Sequence, residues 1–277
     1  MSTPYATPRA RALGLELRAA RNRRRLGVRE LARLLGMTPG FVTNWERGLR
    51  LPKPEDVGAV LAHCRVVGED RRRIVEMARG AREQDWIATG GEEAYREWER
   101  TARAVFAWGP ELVPPLLQTS AYAAAVCLQP RAVEEQRPAW RAARGRCVLV
   151  VGETALCKRI GSAEVMAEQV RQLASLVDAE EVDVRVVPAE REYQPGLGRA
   201  FTIFDFAGLP SIVHERLLTE SASSSSPARV ARYREAAETL LGLALPPRAA
   251  NELLESVLRK LSVPDGRVET RRGEGTT

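Results

Sequence analysis

Histidine, lysine and cysteine are scarce in this chain of 277 residues: two histidines, three lysines, and four cysteines with no Cys-x-x-Cys pair. With His63 and His214 far apart, neither a zinc module nor a disulfide scaffold is expected, and no metal or other cofactor is assigned. Long apolar runs are also missing. The stretch 147–151 is typical of the longest and falls far short of a membrane span, and the opening MSTPYATPRARALG has no apolar leader segment. The expectation is a soluble, cytoplasmic protein without a membrane partner.

Catalytic signals are equally thin. GETALCKRIG lacks the Gly-Lys-Ser/Thr order of a phosphate loop, and PGLG between two strand-like runs reads as a turn. Cys157 beside Lys158 reads as a buried, inert thiol, since no histidine stands near it. His214 and Glu215, as neighbours on a strand, point to opposite faces and do not share a site. No catalytic residue is assigned, and no enzyme is expected.

What the chain has is arginine, unevenly spread. Of its 42 cations 39 are arginines, a bias that suits planar recognition of phosphate and guanine and that a GC-rich genome would also produce. Codon bias does not explain the distribution. Residues 1–86 hold 18 cations against 10 carboxylates, a net charge of +8, whereas 87–277 hold 24 against 26, a net charge of −2. An apolar content of 44% is ordinary for a folded chain of two domains.

The basic third reads as five short helices. The first spans about 9–24, with Leu13 and Leu17 on one face and arginines on the other; the second spans 28–35 and stops at Gly36. Thr38 followed by Pro39 is a helix start, with Thr38 as the cap and the third helix running over 39–47 to Gly48. A fourth helix contains Val57, Val60, Leu61 and Cys64, and a fifth spans 71–85. Then the texture changes. A hinge at 89–93 precedes a helix over 95–108, a proline-broken stretch and a helix at 120–128. Strands are expected at 146–151, 182–188, 200–206 and 211–217, and helices at 163–177, 228–243 and 248–261. The Ser-rich run 221–226 reads as a loop. The fold class is therefore mainly α with a smaller α+β part: a five-helix domain over 1–86, a helix-rich α+β domain with a small sheet over 87–263, and a frayed tail over 264–277.

Two helices joined by a glycine turn, the second capped, are what a helix-turn-helix requires. On the third helix Val42 and Trp45 pack inward, so Gly40, Thr43, Asn44 and Arg47 form an outer stripe at i, i+3, i+4 and i+7. That stripe is assigned to base reading: Arg47 for guanine, Asn44 for adenine, Thr43 for a thymine methyl or a phosphate, and Gly40 for close approach. Arg18, Arg29, Thr38 and Arg50 are assigned to DNA phosphates. Glu46 is expected to pair with an arginine of the first helix. In the second domain Trp98, Trp108, Leu116 and Tyr122 form either core or a weak site for an effector or partner.

GVRELARLLGMTPGFVTNWERGLRLP resembles the helix-turn-helix of the XRE family, the phage-repressor and Cro group, over roughly residues 9–70. Two positions depart from it: Gly27 stands where Ser or Thr is usual, and Pro39 where the recognition helix often opens with glutamine. WGPELVPPLLQTSAYAAAV, GSAEVMAEQVRQL, VDVRVVP and QPGLGRAFTIFDF resemble the large C-terminal domain, of unknown function, of actinobacterial XRE regulators. The resemblance implies a transcriptional regulator that binds double-stranded DNA, with a second domain that binds a small-molecule effector or a small partner protein encoded nearby; because one module makes few base contacts, a homodimer on two half-sites is expected. Such regulators are also described as antitoxin-like. The alternatives from other classes are an interaction protein that neutralises such a partner, and a biosynthetic enzyme on a regulator-like scaffold.

Overall fold

The computed structural model describes residues 6–89, 91–126, 146–177 and 182–261. The expected tail at 264–277 lies outside these residues, as does the end of the helix expected at 120–128. Five helices come first: α1 (Pro8–Arg23), α2 (Val28–Leu34), α3 (Pro39–Glu46), α4 (Pro54–His63) and α5 (Gly68–Arg79). Their apolar faces meet in one core of Leu13, Leu17, Leu31, Val42, Trp45, Leu61 and Ile74. The fifth helix lies earlier than the pattern implied. It ends at Gly80, and Asp85–Thr89 leaves the bundle as strand β1.

The rest of the chain runs α6 (Glu92–Thr101), β2 (Ala104–Gly109), α7 (Ser120–Val126), β3 (Arg146–Gly152), α8 (Glu153–Cys157), α9 (Ala163–Val177), β4 (Asp183–Val187), β5 (Phe201–Phe206), β6 (Leu209–Arg216), β7 (Glu220–Ser224), α10 (Pro227–Leu243) and α11 (Pro247–Leu261). Mainly α with a smaller α+β part is the observed class, but the sheet has seven strands, in the order β1-β7-β6-β5-β2-β3-β4. The β2–β3 and β3–β4 pairs are parallel and the rest antiparallel.

Two sequence readings fail here for the same reason. Residues 104–109 are strand rather than the end of a helix over 95–108, and the serines at 221–224 are strand rather than loop. Both segments sit inside the sheet, where ladder hydrogen bonds outweigh weak local preference. In β2 the alternation is visible: Val105 and Ala107 face one core, Phe106 and Trp108 the other. Pairing of β7 with β1 and β6 buries Ser221, Ser223 and Ser224.

The sheet is covered on both faces. One side packs under α6, α9 and α11 through Trp98, Met166, Leu173 and Leu254, in a core continuous with that of α1–α5. The other side packs under α10 through Val230, Ala237 and Leu240. Helix α1 also touches α6 and β1, so the basic bundle leans directly on the sheet. Among the described residues no helix is long and apolar enough to cross a membrane.

Candidate nucleic-acid interface

The loop before α3 turns at Gly36 (φ +65°), a left-handed position that glycine adopts without strain. Thr38 takes the extended backbone of an N-cap, but its hydroxyl makes no capping bond. The Phe41 N–H goes to the Thr38 carbonyl instead, at 3.1 Å. The hydroxyl expected as a cap therefore stays exposed at the start of the helix.

On α3 the two faces separate as the spacing requires. Val42 and Trp45 are 2% and 4% exposed, packed with Leu31, whereas Gly40, Thr43 and Arg47 are exposed and Asn44 is half-buried. The Thr43 hydroxyl donates to the Pro39 carbonyl at 3.1 Å, which holds the side chain against its own helix. Nothing lies within 4 Å of where a Gly40 Cβ would be. The four residues of the stripe thus share one accessible surface.

Arg29 stands exposed in the first turn of α2, and Arg18 is exposed on α1. The Arg50 guanidinium lies 4.1 Å over the Phe41 ring, which in turn meets Trp45 edge-on at 6.3 Å. Phe41 is a residue that sequence reasoning missed. Its half-buried ring anchors Arg50 to the core, and the signal available was an aromatic between the outer stripe and the inner positions. None of Arg18, Arg29, Arg47 and Arg50 forms an ion pair among the described residues.

Two carboxylates of this region, Glu46 and Glu16, are engaged elsewhere, while Glu30 beside Arg29 is exposed. Arg21 donates from Nε and Nη2 to the two oxygens of Glu46, at 2.5 and 2.8 Å, as expected for a pair between the first helix and the third. That hydrogen bond raises the Arg21 pKa, and a third donor, Nη1, reaches the Leu26 carbonyl at 2.8 Å. Arg73 of α5 ties up Glu16 at 2.6 Å. With Glu46 neutralised and Arg47 and Arg50 unpaired among the described residues, the outer side of α3 carries a positive field.

Two glycines set how close α3 lies to α1. A Cβ at Gly14 would stand 2.6 Å from the Trp45 carbonyl oxygen, and one at Gly48 (φ +66°) would stand 2.9 Å from Arg11 Cα. Only glycine permits this approach.

Residues 12–74 match a family model described as a helix-turn-helix domain. Residues 93–256 match one described as a domain of unknown function, DUF5753, which covers more than half of the chain. The chain belongs to the DUF5753 family. No curated protein and no solved structure matches it. This DUF5753 member therefore carries an N-terminal helix-turn-helix DNA-binding domain, whose two central helices are α2 and α3.

Within the DUF5753 part the four aromatic and leucine residues singled out from the sequence do not share one groove. Trp98 and Tyr122 are buried on the α6 side of the sheet and Leu116 packs against them, whereas Trp108 is buried on the α10 side. Tyr122 accepts from the Val113 N–H at 3.2 Å, and Trp108 donates to the Leu197 carbonyl at 3.2 Å. Below α6 lies a buried polar layer instead. The Tyr95 hydroxyl lies 3.5 Å from the Thr202 hydroxyl, the Tyr95 ring meets His214 at 4.8 Å, and His214 Nδ1 bonds the Ser223 hydroxyl at 3.0 Å, with Glu99 buried on the same helix as Tyr95. Burial raises Glu99 to about 7 and lowers His214 to about 4. Glu215 faces away, toward Tyr233 of α10. Cys157, expected to be buried, is exposed, and Lys158 beside it pairs with Glu111 at 2.6 Å. Among the described residues no group of three or more His, Cys, Asp or Glu is placed to hold a metal.

Proposed function

We propose that this protein is a sequence-specific transcriptional regulator that inserts α3 into the major groove of double-stranded DNA. The observation that carries the reading is the pairing pattern: among the described residues Arg47, Arg50, Arg29 and Arg18 form no ion pair, while Glu46 and Glu16 are bound to other arginines. In this reading Arg47 addresses both acceptors of a guanine, Asn44 an adenine and Thr43 a thymine methyl, with Gly40 admitting the groove wall. Arg18, Arg29, Arg50 and the free hydroxyl of Thr38 hold phosphates and set the register.

One such module reads few bases, so the reading includes a homodimer on two half-sites about 34 Å apart in a near-palindrome. The division of labour is a DNA-binding unit over 1–86 and a unit over 87–263 that dimerises, senses an effector, or does both. No catalysis is assigned to the second unit, in keeping with His214 and Glu215 on opposite faces of β6.

The test is selection of genomic fragments by the purified full chain, beside Arg47→Ala, at near-physiological salt. One inverted-repeat motif is expected with the wild type and a relaxed or absent motif with the variant. An unchanged motif in Arg47→Ala would overturn the assignment of the reading residues.

A further inference from the structure

Arg11 of α1 sits where the helix-turn-helix meets the sheet and is 7% exposed. Its guanidinium carbon lies 3.8 Å from the centre of the Phe206 ring at the end of β5. Its Nε and Nη2 are enclosed and without a hydrogen-bond partner, and it forms no ion pair among the described residues. Burial lowers its pKa to about 10, so the group is still a cation at neutral pH. A ring face offsets only part of what desolvating a guanidinium costs.

The two unpartnered nitrogens are the ones that form the side edge of the guanidinium. Elsewhere in this chain that edge holds the two oxygens of a carboxylate: Arg21 on Glu46, Arg100 on Glu97 and Arg185 on Asp183. Nε and Nη2 of Arg11 thus present a fork matched to an oxyanion. Its surroundings tie that fork to α3. Gly48, just past the end of α3, is packed against the Arg11 backbone, and Phe206 lies at the register shift in the β5–β6 pairing.

We propose that this junction is the receptor for a small anionic effector, whose carboxylate or phosphate oxygens are taken by the Nε and Nη2 edge of Arg11 as the Phe206 ring moves off it. The fork lies inside the junction of α1, the turn after α3 and the end of β5, so the occupant is a small ion rather than a DNA phosphate or a side chain of another protein. Because Arg11 touches the turn after α3, the same event shifts α3 against α1 and changes DNA affinity. This last consequence rests on the DNA-binding reading above; the anion site does not.

The experiment uses the full chain without DNA, in inorganic phosphate, in acetate, and in chloride at matched ionic strength. Thermal midpoints are read for wild type, Arg11→Met and Arg11→Lys. An oxyanion at roughly 100 times its Kd is expected to raise the wild-type Tm by about 5 °C over chloride. Arg11→Met, which exchanges a buried charge for an apolar chain of similar length and keeps the fold, is expected not to respond. Arg11→Lys, with the charge but no fork, is expected to respond less than half as much. A response confined to phosphate assigns a phosphate group, and one confined to acetate assigns a carboxylate. Equal rises in wild type and Arg11→Met, or no rise in wild type with either anion, would overturn the site. DNA affinity is then read at constant ionic strength with the active anion. An anion that binds but leaves wild-type DNA affinity unchanged overturns the coupling, whereas failure of both proteins to bind any DNA overturns the regulator reading and leaves the site standing.

Discussion

Helices α3 and α5 belong to the same basic bundle, yet their arginines live differently. On α5, Arg72 is tied to Glu69, Arg73 to Glu16 and Asp70, and Arg79 to Glu76. Arg47, at the end of α3, and Arg50 beyond it have no acid partner among the described residues, and Arg50 is braced by an aromatic ring. Arginine content therefore does not distinguish the two surfaces. What does is whether a carboxylate stands three residues away on the same helix: Glu69, Asp70 and Glu76 do so for Arg72, Arg73 and Arg79 and engage them, whereas none does for Arg47 or Arg50, whose charge remains for an external phosphate or base.

The contrast breaks most visibly at Glu46. Its pair with Arg21 is nearly buried, the side chains being 9% and 11% exposed, so Glu46→Ala leaves a desolvated cation without its counter-charge. A loss of about 3–5 kcal/mol in unfolding free energy is expected by urea denaturation. A loss below about 1 kcal/mol would mean that the pair does not clamp α1 to α3.

Glu99 extends the comparison to a buried carboxylate. Its folded value of about 7 lies above the ordinary 4.5, so the folded state holds the extra proton and stability falls as pH rises from about 4.5 to 7. His214, lowered from 6.5 to about 4, acts oppositely: the unfolded state holds the extra proton, and stability rises with pH between about 4 and 6.5. Each slope is about 1.4 kcal/mol per pH unit, so the two nearly cancel between pH 4.5 and 6.5. Glu99→Gln is expected to uncover the rising limb and to be more stable than wild type at pH 8, by up to about 3 kcal/mol. Chemical denaturation of both proteins from pH 4 to 8 checks this, and parallel profiles would refute it.

On the DNA side, Arg47→Ala is expected to weaken the true site by about 1–3 kcal/mol and to relax preference at one base pair, read by fluorescence anisotropy on matched and mismatched duplexes. Arg50→Ala should weaken all duplexes alike and reduce the salt slope by about 1. The smallest effect is the control. Arg72→Ala removes an exposed i, i+3 pair, is expected to change stability by at most about 0.5 kcal/mol, and should leave DNA affinity within about twofold. Equal loss from Arg72→Ala and Arg50→Ala would erase the distinction between the two helices.

Much of the bundle was legible because its cues are local. Gly36 and Gly48 mark the ends of their helices, Pro39 opens the third, and the three-residue spacing of Val42 and Trp45 leaves Gly40, Thr43, Asn44 and Arg47 on the other face. The partner of Glu46 was also foreseeable as a class, since a carboxylate beside a DNA-facing helix needs a cation on the neighbouring element. The second domain was legible in its long amphipathic helices, less so in its strands. Charges at 82–85 continue a helical texture, and serines at 221–226 have little preference for a strand, yet 85–89 and 220–224 pair with each other.

Local spacing and capping chemistry by themselves determined that this chain has a helix-turn-helix bundle, which face of α3 turns outward, and where the positive charge accumulates. The tertiary structure alone decided that the serines become a buried strand, that Gly14 lets α1 meet the last carbonyls of α3, and that Arg11 ends under Phe206 without a carboxylate. The reason is range. Caps and periodicity act over a few residues, whereas ladder pairing, close backbone approach and desolvation depend on segments from 31 to 195 residues away, whose placement no local pattern encodes.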